Sequence, residues 1–376
     1  MNIAIVCYPT FGGSGVVATE LGLALSKRGH YIHFITYNLP VRLEALSYPN
    51  IHFHEVNVPD YPLFKYQPYE LALSSRLVDV VKSHKIDVLH VHYAIPHAYA
   101  AYMAKKMLLD IGIQIPIVTT LHGTDITLVG SHPFYRPAVT FSINHSDRVT
   151  AVSESLKQDT LRLFDITKKI DVIPNFIDTE KIKSNGKPCK RSLLAEKEEK
   201  ILTHISNFRP LKRVLDVIAI FEGVKLKIKS KLMMVGEGPE KVRAIQYVKE
   251  KGLEEQVLFL GNSNEIDKIL CYSDLFLLPS EKESFGLSAL EAMAHGVPVI
   301  SSDAGGIPEV NIHGETGYLS KIGDTDSMIL NALNLLENEN RHKVFKKQAE
   351  ERAENFNLNS VVNQYETIYV NAIEAV

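Results

Sequence analysis

Short apolar runs alternate along the chain with longer segments whose apolar residues recur at helical spacing. In the first half Ile3–Tyr8, Tyr31–Thr36, Ile51–Val58, Asp87–Tyr93, Ile115–Leu121 and Arg148–Val152 read as strands. Helices are predicted between them, among them Val16–Lys27, stopped by Gly29, and Glu70–Lys82, entered through a Pro- and Tyr-rich loop. The pattern breaks around Asp171–Asp178. Lys181–Lys200, rich in Lys and carrying Asn185-Gly186 and Pro188, reads as an interdomain linker and mobile surface segment. A second alternation follows, with strands at Ile201–Ser206, Lys231–Gly236, Val257–Gly261, Leu275–Leu278, Val297–Ser301 and Gly317–Ile322, and a last amphipathic helix at Ser360–Ala375. Two such runs predict an α/β protein of two Rossmann-like, doubly wound domains, each a parallel sheet covered by helices. The expected boundaries are 1–170 and 171–359, with the helix at about 360–376 packing back on the first domain and a ligand cleft between the two.

Composition narrows the function classes. The 376 residues are 45% hydrophobic and 23% charged, with formal net charge −3, so no basic face argues for nucleic acid. No apolar run approaches the ~18 residues of a membrane span, and Met1–Val6 opens a strand without a signal-peptide pattern. Cys7, Cys189 and Cys271 make no metal-type spacing and suit a reducing, cytoplasmic setting.

The candidate chemistry centres on Glu281-Lys-Glu-Ser-Phe-Gly-Leu-Ser-Ala-Leu-Glu291-Ala-Met-Ala-His-Gly296. It follows the apolar run Leu275–Leu278, so it reads as a strand, a loop and a helix N-terminus. Free amides at Phe285, Gly286 and Leu287 make that N-terminus a prepared anion site. Glu283 and Glu291 beside it would repel a phosphate, so neutral hydroxyls of the same ligand suit them better. A nucleotide sugar carries both features. Its leaving group gains negative charge, while a helix N-terminus supplies only about half a unit. Lys212 and Arg209, ahead of a helix at another strand's end, are the natural cations.

In the first half, Gly12–Gly15 follows a strand and opens a helix, so Gly13, Ser14 and Gly15 can bring amides to an anion; a plain tight turn explains them equally. The second strand ends in Tyr37-Asn38 without the acidic residue a nicotinamide cofactor needs. His122 and Asp125 sit at a strand's carboxyl end, where open α/β sheets bind ligands, although a turn role for Asp125 fits as well. His90 and His92 share a strand face but lack a completing ligand set, so core or substrate-contact roles are preferred to zinc. Asp324-Thr-Asp326 imitates a two-aspartate metal signature, but helix capping accounts for it. No metal and no cofactor are expected.

Taken together, these residues resemble the retaining glycosyltransferases of family 4, which have the GT-B arrangement. The resemblance spans nearly the whole chain and rests on Gly12–Gly15, His122-Gly-Thr-Asp125, Lys212, Val235-Gly-Glu-Gly-Pro239, the glutamates Glu283 and Glu291, and Gly305-Gly-Ile-Pro-Glu309. One departure is Asn207, where the family usually has Arg, leaving Arg209 as the substitute. The Ser206-Asn-Phe-Arg209 variant, with His90–His97 and Thr120–Asp125, is similar to members that transfer N-acetylglucosamine to L-malate in bacillithiol biosynthesis.

The resemblance implies UDP-N-acetylglucosamine as donor. Lys212, Arg209 and the amides at Phe285, Gly286 and Leu287 would hold the diphosphate. Glu291 would bind the ribose, Glu283 the hexose, and Leu260-Gly261 would face the uracil, with Asn207 and Gly236 lining the site. Gly13, Ser14 and Gly15 would reach the donor from the first domain, and His122 and Asp125 would hold the sugar. L-Malate would bind near Ser14, Tyr93, Thr119 and Thr120, with Arg42, Lys65 and Arg76 the available cations. Alternatives are another sugar or a lipid as acceptor, a UDP-sugar 2-epimerase, or a non-catalytic sensor. The partners implied are these two small molecules, with neither nucleic acid nor membrane; a homo-oligomer is left open.

Overall fold

The computed structural model describes residues 1–10, 12–41, 43, 48–184, 191, 194–196 and 198–376. Among these residues, thirteen parallel strands are arranged in two sheets. The first holds β1 (Asn2–Val6), β2 (Tyr31–Thr36), β3 (Ile51–Glu55), β4 (Val88–His92), β5 (Ile117–Leu121), β6 (Arg148–Ala151) and β7 (Ile170–Val172), in the order β3-β2-β1-β4-β5-β6-β7. The second holds β8 (Lys200–Ile205), β9 (Ser230–Val235), β10 (Val257–Gly261), β11 (Leu275–Leu278), β12 (Val299–Ser302) and β13 (Gly317–Ser320), in the order β10-β9-β8-β11-β12-β13. Each order reverses once, between β1 and β4 and between β8 and β11. Ligands of open α/β sheets bind at the carboxyl ends beside such a reversal.

The chain divides into two compact units, Met1–Asn175 with Leu358–Val376, and Phe176–Asn357. The boundary expected at 170/171 falls inside the β7 strand, whose pairing with β6 keeps it in the first unit. The last helix, Leu358–Ile373, belongs there too: Tyr369 hydroxyl bonds His90 Nδ1 at 2.7 Å, and Tyr365 lies 3.3 Å from Thr120 Oγ1. Both tyrosines are fully buried, which fixes the helix against β4 and β5.

The expected linker 181–200 is a correction. Asn185, Gly186, Pro188 and Cys189 lie outside the described residues, but the described part belongs to the second unit. Arg191 pairs with Asp274 at 2.7 Å and Ala195 joins a core with Ile201 and Met233.

Strands in the middle of each sheet are buried on both faces because helices cover both. In the second unit, Leu202, Leu232, Leu275 and Ile300 pack against Val217, Phe221 and Met328. The core of the first unit gathers Ala4, Ile35, Leu89 and Ile117 with Leu77, Ala101 and Ala104. No helix among the described residues is long and apolar enough to cross a membrane.

Candidate functional site

In the second unit, the loop after β8 and the loop after β11 meet at the strand-order reversal. Lys212 closes a short turn, Pro210–Lys212, and its Nζ lies 2.5 Å from Glu283 Oε2. Both side chains are 16% exposed, so the pair is only partly screened by water. The backbones are also joined, since Glu281 N–H donates to Leu211 O at 2.8 Å.

Glycines let further segments close around this pair. Gly305 has φ +55°, and a Cβ there would stand 2.0 Å from Glu283 O; Gly306 N–H donates to that same carbonyl at 2.9 Å. On the other side, Cβ atoms at Gly236 and Gly238 would stand 1.8 Å from Ser206 O and 2.0 Å from Asn207 O. Gly236 N–H donates to Gly261 O at 2.8 Å, bringing the end of β10, with Leu260 exposed, beside the same loop. Thus Asn207, Gly236, Leu260 and Gly261 form one neighbourhood, and Lys212, Glu283 and Gly305 another. The loop after β8 links them. Asn207 and Arg209 are exposed on that loop, with the buried Phe208 between them in the left-handed region at φ +37°.

The helix Leu287–Ala294 begins at Gly286, φ +96°, without a side-chain cap and without an acidic residue in its first turn. Its first amides therefore remain available to an anion. Phe285 is buried and packs edge-on against Phe356, which fixes the entry to the helix. Glu291 is half-buried on the second turn, between the buried Leu290 and Ala292.

His204 went unnoticed in the sequence. Its Nδ1 bonds Leu277 O at 2.9 Å and its Nε2 bonds Ser206 Oγ at 2.7 Å, so it braces the β8 loop against β11. Burial lowers its pKa to about 4, helped by the charge of Lys212. Only pairing of β8 with β11 brings it into place, and spacing carries no signal of that. Asp324 caps the helix Thr325–Leu336, accepting from Ser327 N–H at 3.0 Å and Ser327 Oγ–H at 2.7 Å.

In the first unit, the reversal between β1 and β4 carries Ser14 and Tyr93, whose hydroxyls lie 2.6 Å apart. Ser14 opens the helix Ser14–Lys27 after Gly13, which has φ +61°. Gly15 is required by close approach, because a Cβ would meet Tyr8 O at 2.4 Å. The Tyr8 ring packs against Tyr93 and His97, with centroids 5.4 and 4.6 Å away, an aromatic wall the sequence did not single out.

Two expectations for this unit need correction. Thr119 and Thr120 are fully buried; Thr119 Oγ1 bonds Ser146 Oγ at 2.8 Å, and Thr120 Oγ1 bonds His90 Nε2 and Thr150 Oγ1 at 2.8 Å each. Their hydroxyls are committed to the interior and do not face an acceptor. Asp125 is 2% exposed, and its carboxylate accepts from Ala94 N–H at 2.8 Å, Gly123 N–H at 2.9 Å and His122 N–H at 3.3 Å. It knits the turns after β4 and β5 together instead of holding a sugar, and burial raises its pKa to about 6 despite these amides. His122 stays beside the candidate acceptor residues, its ring 5.1 Å from that of Tyr93 and its Nε2 2.8 Å from His92 Nδ1. Burial lowers the pKa of His122 to about 3, so the ring is neutral. Among the cations considered for the acceptor, Arg42 lies outside the described residues and Lys65 stands over its neighbour Tyr66, 5.6 Å from the ring centre.

Comparison with known proteins follows the same division. Residues 11–181 match the family described as Glycosyltransferase Family 4, and residues 188–352 match Glycosyl transferases group 1. N-acetyl-alpha-D-glucosaminyl L-malate synthase of Bacillus anthracis is 50% identical over 376 residues, covering 99% of this chain and 97% of the relative. Among solved structures, Alr3699/HepE of Anabaena in complex with UDP and glucose has a TM-score of 0.80 at 20% identity, covering 99% of this chain and 100% of that one. Sucrose-phosphate synthase of Thermosynechococcus elongatus has the same TM-score at 19% identity, over 100% of both chains. At such identities the structural likeness speaks for the fold.

Proposed function

The chain belongs to the family 4 glycosyltransferases of GT-B fold, and from that premise we propose how its residues move a sugar. It is a UDP-N-acetylglucosamine-dependent transferase that places N-acetylglucosamine on the hydroxyl of L-malate, the first step of bacillithiol biosynthesis. The observation that carries the donor assignment is the Lys212–Glu283 pair at the reversal between β8 and β11, beside an uncapped helix start. One small region thus offers a cation, a carboxylate and free amides, which match a diphosphate next to a polyhydroxyl ring.

On this reading Lys212 exchanges Glu283 for the diphosphate when donor binds, and the released Glu283 accepts hydrogen bonds from the hexose. Arg209 and the amides at Phe285, Gly286 and Leu287 share the phosphate charge. Glu291 takes the ribose hydroxyls, and Leu260-Gly261 borders the uracil. L-Malate, named by its near-full-length relative, binds beside Ser14 and Tyr93, where the start of the helix Ser14–Lys27 offers amides to a carboxylate.

The malate hydroxyl attacks the anomeric carbon from the face the phosphate leaves. A leaving-phosphate oxygen accepts the hydroxyl proton, and the α configuration is retained. No metal enters this scheme. Position and electrostatics supply the acceleration. Proton NMR of the product tests it: an α-linked N-acetylglucosaminyl malate is expected. A β linkage, or 2-epimerised UDP-sugar formed without malate, would refute it.

A further inference from the structure

We propose that His33, His54 and His84 form a binding site for a divalent transition-metal ion, best suited to zinc, in the first unit and separate from the transfer chemistry. One ring nitrogen of each lies within 4.8 Å of the others, and among the described residues these form the group able to hold a metal. They come from three elements: His33 from the middle of β2, His54 from β3 and His84 from the end of the helix Tyr69–His84.

The arrangement follows from register. His33 faces His52 across the strands, and Ile35 faces His54, so His33 and His54 are diagonal neighbours on one sheet face. Ile35 shares that face and packs with Leu77, Val80 and Val81 of the helix Tyr69–His84. A helix returning between parallel strands runs against them, so its end lies away from the carboxyl ends that carry Ser14 and Tyr93. The last turn therefore delivers His84 to β2 and β3, with ring centroids 4.8 Å from His33 and 4.9 Å from His54.

Four features suit a cation. His33 Nδ1 and His54 Nε2 are already 2.9 Å apart, near the ~3.3 Å that two imidazoles at 2.0–2.1 Å from a tetrahedral zinc would show. A metal ion would take the place of the proton they share, and the ring that donates it would carry that proton on its outer nitrogen instead, so both rings stay neutral. The partial negative charge at a helix C-terminus favours a cation at His84. His52 stacks on His33 at 4.8 Å and leaves either its ring or water to complete the set. Burial, reinforced by the neighbouring histidines, lowers the pKa of His33 to about 3 and of His54 to about 4, so both present neutral lone pairs. The charge of Arg76 also reaches His54 and weakens the site, but a guanidinium cannot act as a ligand. All-imidazole ligation selects zinc, copper or nickel over magnesium and calcium.

The site ties the edge strand β3 and its neighbour β2 to a helix end, which predicts a stabilising role. The test is calorimetric titration of the chelator-treated full chain with zinc chloride, alongside thermal unfolding with and without zinc. One tight equivalent and an unfolding midpoint that rises with zinc are expected. His84→Ala, at an exposed position the fold tolerates, should weaken that equivalent at least about tenfold, the scale seen when a single metal-site contact is lost. His52→Ala should change it less. Absence of a tight equivalent, or unchanged uptake by His84→Ala through other histidines of the fifteen, would overturn the proposal.

Discussion

Lys212 and Glu283, 71 residues apart in sequence, form an ion pair at 2.5 Å where the loops after β8 and β11 meet. On the proposed reading each takes part in donor binding, and the ion pair holds both side chains in place until donor arrives. Lys212→Ala and Glu283→Ala should each reduce kcat/KM by roughly two to three orders of magnitude, the scale of removing one transition-state contact. The double variant should lose much less than the product of the single losses, because the two groups act as a unit. Steady-state kinetics on the three variants checks this; near-wild-type transfer by either single variant would remove the donor assignment.

Gly305 is required by space and backbone. With φ +55° and a Glu283 carbonyl 2.0 Å from any Cβ, Gly305→Ala must push the Glu283 loop away. A loss of about 2 kcal/mol in urea unfolding is expected, within the range of strained glycine replacements. The KM for UDP-N-acetylglucosamine should rise as Glu283 moves.

At the other reversal, Tyr93→Phe removes one partner of the 2.6 Å bond to Ser14 while keeping the aromatic wall with Tyr8. The KM for L-malate should rise several-fold with the donor KM little changed. A change confined to the donor would move Ser14 and Tyr93 out of the acceptor site.

Stability should fall on acidification. His90, His97 and His122 have pKa values lowered to about 3, 4 and 3 by burial, and His92 is lowered well below its usual value for the same reason. Unfolded, each would titrate near 6.5, so between that pH and the folded values the unfolded chain binds more protons. Their contribution is complete above about pH 6.5 and is lost as pH falls, at up to about 1.4 kcal/mol per pH unit for each group. Asp125 works in the opposite sense: its pKa, raised to about 6, means that the native state binds the extra proton below that pH. Four imidazoles outweigh one carboxyl, so the urea midpoint should drop between pH 7 and pH 5.

Much of the donor side was legible in the chain. Leu275–Leu278 is the predicted strand to the residue, and the following helix starts at Leu287, where its run of helix formers begins. Local signals suffice there because strand, loop and helix are consecutive. The acceptor side was less legible. Thr119 and Thr120 sit at a strand's carboxyl end, yet polar pairing with His90, Ser146 and Thr150 holds their hydroxyls inside. Asp125 fitted a ligand group and a turn residue equally well from sequence, and it joins two turns through backbone amides. In each case the deciding partner lies on another strand or turn. The cluster of His33, His54 and His84 was hidden for the same reason.

The most direct test of the account is UDP release from UDP-N-acetylglucosamine with L-malate, set against D-malate, glycolate and buffer. Release that depends on L-malate and is far slower with the other three is predicted. Equal release in all four would contradict malate as the acceptor.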